Sequence, residues 1–252
     1  MVQVTRSLLW LAFFAAILAA WFALYRMTGM AGVDLVGRPS GMNMMGGADF
    51  ATLFWMWTLM MAAMMLPTLV PALQVYEDLM RSAGGTRGGW LGLMAGYFMV
   101  WLVFAAGIAA AQLWLREAGV LDGRGMAVSG WVAAALLLVT GAYQFTAIKR
   151  GCHARCHSPL GLLLTDWDPS TMGGLRHGIR LGAFCCGCCW GFMALGFVGG
   201  TMSLLWMGLA TVFMVLEKLP ELGHRLMRPG GAVLIAAGLL VAAGQLGIGP
   251  FA

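Results

Sequence analysis

Residues 183–191 read AFCCGCCWG, so Cys185, Cys186, Cys188 and Cys189, four of the six cysteines, lie within five positions of an apolar run. At about 100° per residue, Cys185, Cys188 and Cys189 share one helix face and Cys186 lies on its flank. Three thiols at i, i+3 and i+4 can address one volume. Thiolates suit soft ions, Cu(I) first and zinc as the other candidate. The ordinary alternative is that cysteine serves as a small, adaptable apolar residue in helix packing. A disulfide fits less well, because neighbours on one helix seldom meet its geometric requirements.

A second sulfur group is CHARCH, with Cys152, His153, Cys156 and His157. If this segment is helical, the two cysteines share one face and the two histidines another. The spacing is half of a zinc pattern and needs a second pair, which the 183–191 run or His177 could supply. The alternative is a basic interfacial segment built on Lys149, Arg150 and Arg155. A third group is WMWTLMMAAMMLP, in which Met56, Met60 and Met64 run along one face with Met61 and Met65 beside them. Thioethers ligate Cu(I), and methionine also fills irregular gaps. Shortly before it, the Gly-rich loop 27–49 contains Met27, Met30, Met42, Met44 and Met45. Glu217 and Lys218 close an apolar stretch; a carboxylate at the edge of hydrocarbon is a functional candidate, although both could simply snorkel to the interface. Gln144, Lys149 and His177 complete the polar candidates.

The elements that must position these groups follow from composition. Of 252 residues, 61% are hydrophobic and 10% charged, and the mean hydropathy is +0.84. That profile selects an all-α membrane protein. Seven stretches approach the roughly 20 residues needed to cross hydrocarbon: 8–25, 51–74, 90–113, 128–148, 179–199, 202–217 and 231–247. The expectation is a single polytopic domain over 1–252, with a Met-rich outer loop at 27–49 and a Cys/His cytoplasmic loop at 149–178. The first stretch lacks a persuasive small-residue cleavage site and reads as an uncleaved helix. Seven crossings place eleven Lys and Arg on one side and Arg26, Arg38, Arg116 and Arg124 on the other. Positive residues stay in the cytoplasm, so the amino terminus is expected inside and the carboxyl terminus outside. The net charge of +5 therefore reports topology, not a nucleic-acid partner. Pro67 and Pro71 should bend the inner end of the second stretch and free carbonyls that need partners. Ala183, Gly187 and Gly191 form a small-residue stripe suited to close helix approach. No nucleotide loop, hydrolase triad, zincin motif or internal repeat is evident.

The blocks MWTLMMAAMMLPTLVPAL (56–73), YQFTAIKRGCHARCHSPLGLLL (143–164), GLRHGIRLGAFCCGCCWGFMALGFVGGTMSLLWM (174–207) and VLEKL (215–219) resemble the metal-binding integral membrane proteins grouped as domain of unknown function 2182. The resemblance implies a compact multi-helix protein of a bacterial inner membrane, metal binding, and copper as the usual ion. Together these readings lead to a Cu(I)-handling membrane protein whose partners are the bilayer, the ion and a copper protein. The rivals are a membrane thiol-redox or metal-dependent enzyme and a structural assembly protein without a metal.

Overall fold

The structure is a computed structural model that describes residues 2–42, 47–219 and 223–247, with side chains for all of these except 2–5, 157 and 224. Met44 and Met45 therefore lie outside the described residues, as does the side chain of His157. Among the described residues the chain is helical and has no named strand. The helices are α1 (Val2–Met30), α2 (Phe50–Met65), a 3-10 turn at Pro67–Leu69, α3 (Val70–Ser82), α4 (Arg87–Glu117) and α5 (Gly130–Tyr143). They continue with α6 (Ala147–His157), α7 (Pro159–Leu164), α8 (Thr171–Ala194), α9 (Gly196–Gly199), α10 (Leu204–Glu217) and α11 (Gly223–Gln245). Among the described residues, five segments are long and apolar enough to cross a membrane: Arg6–Met30, Phe50–Ser82, Arg87–Glu117, Thr171–Gly199 and Arg225–Gln245. A sixth is added if α5 and α6, bent by 66°, count as one span. α10, with 14 residues, is shorter. The seven stretches expected from sequence fall on these segments, and five or six of them qualify as spans by length.

Two expectations need correction. The stretch 128–148 is not one helix, because it breaks after Tyr143 and resumes at Ala147 in a new direction. The expected loop 149–178 is mostly helix: α6 and α7 occupy its first half, and α8 begins at Thr171, before the expected 179. Thr146 explains the first change. Its backbone turns extended and its hydroxyl accepts the Lys149 N–H at 3.2 Å, capping α6 while leaving α5 to end in tight turns.

Three times along the chain a long helix is followed, after a connection, by a capped shorter helix that ends in a break. The shorter helices α2, α5 and α10 have 16, 14 and 14 residues and are capped by Asp49, Ser129 and Ser203. At 1.5 Å per residue they reach roughly 21–24 Å, short of the hydrocarbon thickness. Their far ends are buried in the bundle, where carbonyls left without an intrahelical donor require other donors. Pro67 has no N–H for Ala63, and the Trp21 indole donates to that carbonyl at 3.1 Å instead. The Met65 carbonyl accepts from the Thr68 hydroxyl at 2.7 Å and the Tyr97 hydroxyl at 3.3 Å. At the end of α10 the Glu217 carbonyl is 2.8 Å from His153 Nε2. The three breaks lie around the middle of α8.

α8 is held there mainly by α4. Gly89, Gly92 and Gly96 of α4 face Gly174, Gly178 and Gly182 of α8. A Cβ on Gly92 would collide with the Thr171 carbonyl, one on Gly96 with Leu175 O, and one on Gly178 with Leu93 O. Backbone thus lies directly on backbone, the contact that small residues permit between apolar helices. The expected stripe is also used, since Gly187 admits Cys152 and Gly191 admits Thr140. Gly178→Leu is expected to cost at least about 1–3 kcal/mol by overpacking, which thermal unfolding in detergent would register. Outside the apolar helices, hydrogen bonds from Thr52 hold the Asp49 carboxyl below the usual carboxylate range, and those from Ser170 do the same for Asp168.

Candidate metal centre

Cys185 and Cys188 are one turn apart on α8, and Cys156 approaches them from α6. The three sulfurs lie within 4.8 Å of one another, and all three residues are buried. Cys189 adds a fourth sulfur 3.2 Å from that of Cys188. The Cys188 thiol donates to the Cys185 carbonyl at 3.1 Å, a bond to its own helix that fixes the rotamer. The cysteine face of α8 thus points into the protein. All six cysteines are unpaired thiols.

Around the sulfurs is a polar shell drawn from the three breaks. Lys218, just past the end of α10, places its ammonium 2.9 Å from Cys185 Sγ and 3.0 Å from the Thr68 hydroxyl. The Tyr97 hydroxyl lies 3.0 Å from Cys185 Sγ and 2.9 Å from Thr68 Oγ1. Lys149 donates to the Cys188 carbonyl at 2.7 Å and to Glu217 Oε2 at 2.9 Å. That ion pair has 0% and 2% side-chain exposure, so it is not an interfacial pair. A buried charge is tolerated only when paired and hydrogen-bonded, and here each meets an opposite charge or a sulfur.

The remaining candidates separate from this group. Cys152 packs over Gly187, and Cys186 is only partly buried; neither joins the three-sulfur set. His153 is buried, but its Nε2 faces the Glu217 carbonyl. His177 is buried against Trp167, with its ring stacked at 25° and 6.4 Å. Gln144 is buried at the end of α5, where Gly231 of α11 packs against it. Met56, Met60, Met61, Met64 and Met65 are all buried. What joins α2 to the centre is the backbone carbonyl of Met65, bonded by Thr68 and Tyr97, which also flank Cys185. Met42 stands 84% exposed in the loop between α1 and α2.

Sequence reasoning passed over Lys218, Tyr97 and Thr68. Lys218 was visible beside Glu217 but read as a snorkelling cation; its burial also changes the charge count. Without Lys149 and Lys218, eleven against four becomes nine against four, still an asymmetry of the same sign. Tyr97 had a signal of its own, as a hydroxyl inside a long apolar helix that must find a partner. Thr68 follows Pro67, where a freed carbonyl invites a hydroxyl.

The donor set fits a soft metal ion. Three thiols converge without an imidazole or carboxylate among them, which suits Cu(I) more than harder ions. The Lys218 ammonium, 2.9 Å from Cys185 Sγ, would supply the counter-charge for a thiolate in this buried group. A sequence profile of the family described as PpoB2, copper chaperone, matches residues 54–241, a range that contains every residue of this centre. No curated protein and no solved structure matches the chain.

Proposed function

We propose, for a chain that belongs to the PpoB2 copper chaperone family, that Cys156, Cys185 and Cys188 hold one Cu(I) ion as cargo inside a membrane-embedded helical bundle. The observation that supports this most is the convergence of three buried sulfurs within 4.8 Å, contributed by two helices, with an ammonium 2.9 Å from one of them. Cys189, 3.2 Å from Cys188, offers a neighbouring sulfur for ligand exchange, the step by which a chaperone passes a thiolate-bound ion without releasing it. The buried methionines of α2 and the exposed Met42 offer weaker thioether contacts on the outer side. Zinc is the competing ion, and it favours four closed ligands over three.

The chain is read as a single polytopic domain in a bacterial inner membrane, with nine surface Lys and Arg on the cytoplasmic side. The centre then lies on the cytoplasmic half, where thiols stay reduced. Its partners are the lipid bilayer, the copper ion and a protein that donates or accepts it.

Titration of the purified protein with Cu(I) against a chromophoric chelator tests this reading. One tightly held ion per chain is expected, and no competition with the chelator would remove the proposal. Ligation displaces thiol protons, so apparent affinity is expected to rise between pH 6 and pH 8 in the same titration. Lys218→Met should weaken binding by about 10–100-fold, the range for groups that support metal ligands without touching the ion. The same variant should leave the copper stoichiometry at one, which separates a lost counter-charge from a lost site.

A further inference from the structure

A second feature lies where Arg6 of α1 meets α3 and the start of α4. A cavity of about 170 Å³ is lined there by Arg6, Glu77, Arg81, Arg87 and Trp90. It adjoins an apolar groove of about 320 Å³, to which Phe13 and Ala16 of α1, Leu66, and Met94 and Phe98 of α4 contribute. Leu9 and Trp90 line both, so the two volumes share a wall. The Glu77 carboxylate is already engaged at both oxygens, by Arg6 at 2.9 Å and by the Trp10 indole at 2.7 Å. Arg81 has only a loose, exposed contact with Asp78 at 3.9 Å, and such pairs hold little charge in place. Arg87 opens α4, whose first N–H groups favour an anion. Trp90 is 3% exposed, and its indole N–H has no acceptor among the described residues.

We propose that this site binds one anionic phospholipid, with the phosphate among Arg6, Arg81 and Arg87 and an acyl chain in the groove between α1 and α4. A phosphodiester supplies the negative charge that Arg81 and Arg87 lack, while Arg6, already paired with Glu77, closes the third side of the site. The apolar groove selects a lipid over an acidic peptide, because its walls offer a peptide backbone nothing to bond. The occupant would touch Leu66 at the α2 break, next to the Met65 carbonyl that Tyr97 and Thr68 hold. This site rests on the reading that the bundle lies in a bilayer, and it is independent of the copper ligands.

The test is to reconstitute the protein in vesicles of equal phosphatidylglycerol and phosphatidylcholine, extract it in detergent, and quantify the retained lipid by mass spectrometry. Enrichment of phosphatidylglycerol is expected, falling about fivefold for each of Arg81→Gln and Arg87→Gln. Ala16→Trp should fill the groove and abolish retention with the arginines intact. Equal retention of both lipids would overturn the proposal. So would enrichment that Ala16→Trp leaves unchanged, or that inorganic phosphate alone displaces, because either result reduces the site to a surface for free anions. Cu(I) titration of the same samples reports folding of the variants and keeps the two readings apart: lipid retained without copper binding would sink only the copper centre. Failure to enter either vesicle would overturn the bilayer reading and this site with it.

Discussion

Replacing Cys185 and Cys188 with serine is expected to lower Cu(I) affinity by about 100-fold or more. Groups that merely support ligands cost 10–100-fold when removed, and these two are proposed as ligands. Serine keeps the size of the side chain and a hydroxyl that can still donate to the Cys185 carbonyl, as the Cys188 thiol does at 3.1 Å. Lys218 keeps its bond to Thr68 at 3.0 Å. The fold should therefore survive while a soft donor becomes a hard one. Cys156→Ser should have an effect of the same order, because its sulfur completes the group. Cys152→Ser and Cys186→Ser supply the internal comparison, and both should leave affinity within a few-fold of the parent. Chelator competition measures all five, and a loss as large in Cys186→Ser as in Cys185→Ser would contradict the assignment.

Lys149→Met is expected to be the most destabilising single change outside the helix interfaces. The ammonium sits 2.9 Å from Glu217 and 2.7 Å from the Cys188 carbonyl, with no exposed surface. Removing it strands a buried carboxylate, which typically costs about 3–5 kcal/mol. For a domain of this size that corresponds to a drop of roughly 6–20 °C in Tm. Glu217→Gln should also destabilise, because the amide still accepts from Lys149 but leaves its buried ammonium without a counter-charge. The double variant Lys149→Met/Glu217→Leu should recover most of the loss, since apolar replacement of a whole buried pair is often neutral or better. If the double variant unfolds as early as Lys149→Met, the pair acts through some contact other than its mutual charge. Copper titration on the double variant then shows whether the Cys188 carbonyl needs its ammonium for binding.

The sequence made the helices legible because apolar runs in a chain with 10% charge admit few alternatives. It made the break at Pro67 legible for a local reason, the missing N–H. The break after Tyr143 was not legible, because no proline marks it; Thr146 capping α6 is a choice between two hydrogen-bond partners that only the packing decides. The segment 149–178 is mostly helix for the same reason: its polar and turn-forming residues reflect position and not backbone state.

For the site, the thiol face of residues 185, 188 and 189 followed from helical period alone. The partner from CHARCH did not. Period placed Cys152 and Cys156 on one face, yet only Cys156 meets α8 at the sulfur group, while Cys152 rests on Gly187 one turn away. The charges were the hardest part. Lys149, Glu217 and Lys218 all stand where a snorkelling residue would stand. Burial of all three depends on the ends of the short helices α5 and α10 packing against α8, a tertiary fact that hydropathy does not encode. The near backbone contact of α4 with α8 was likewise spread over six glycines in two distant segments, and only three-dimensional pairing brings them into one interface.

The central claim is that the bound ion is held by these cysteine sulfurs. X-ray absorption at the copper edge of the Cu(I)-loaded protein tests it most directly, measured for the parent and for the Cys156→Ser/Cys185→Ser/Cys188→Ser variant. The account predicts a nearest-neighbour shell made only of sulfur in the parent and loss of that shell, with the copper, in the variant. A shell of nitrogen or oxygen in the parent would contradict it. So would a sulfur shell that the triple variant leaves intact, which would move the ion to the methionines.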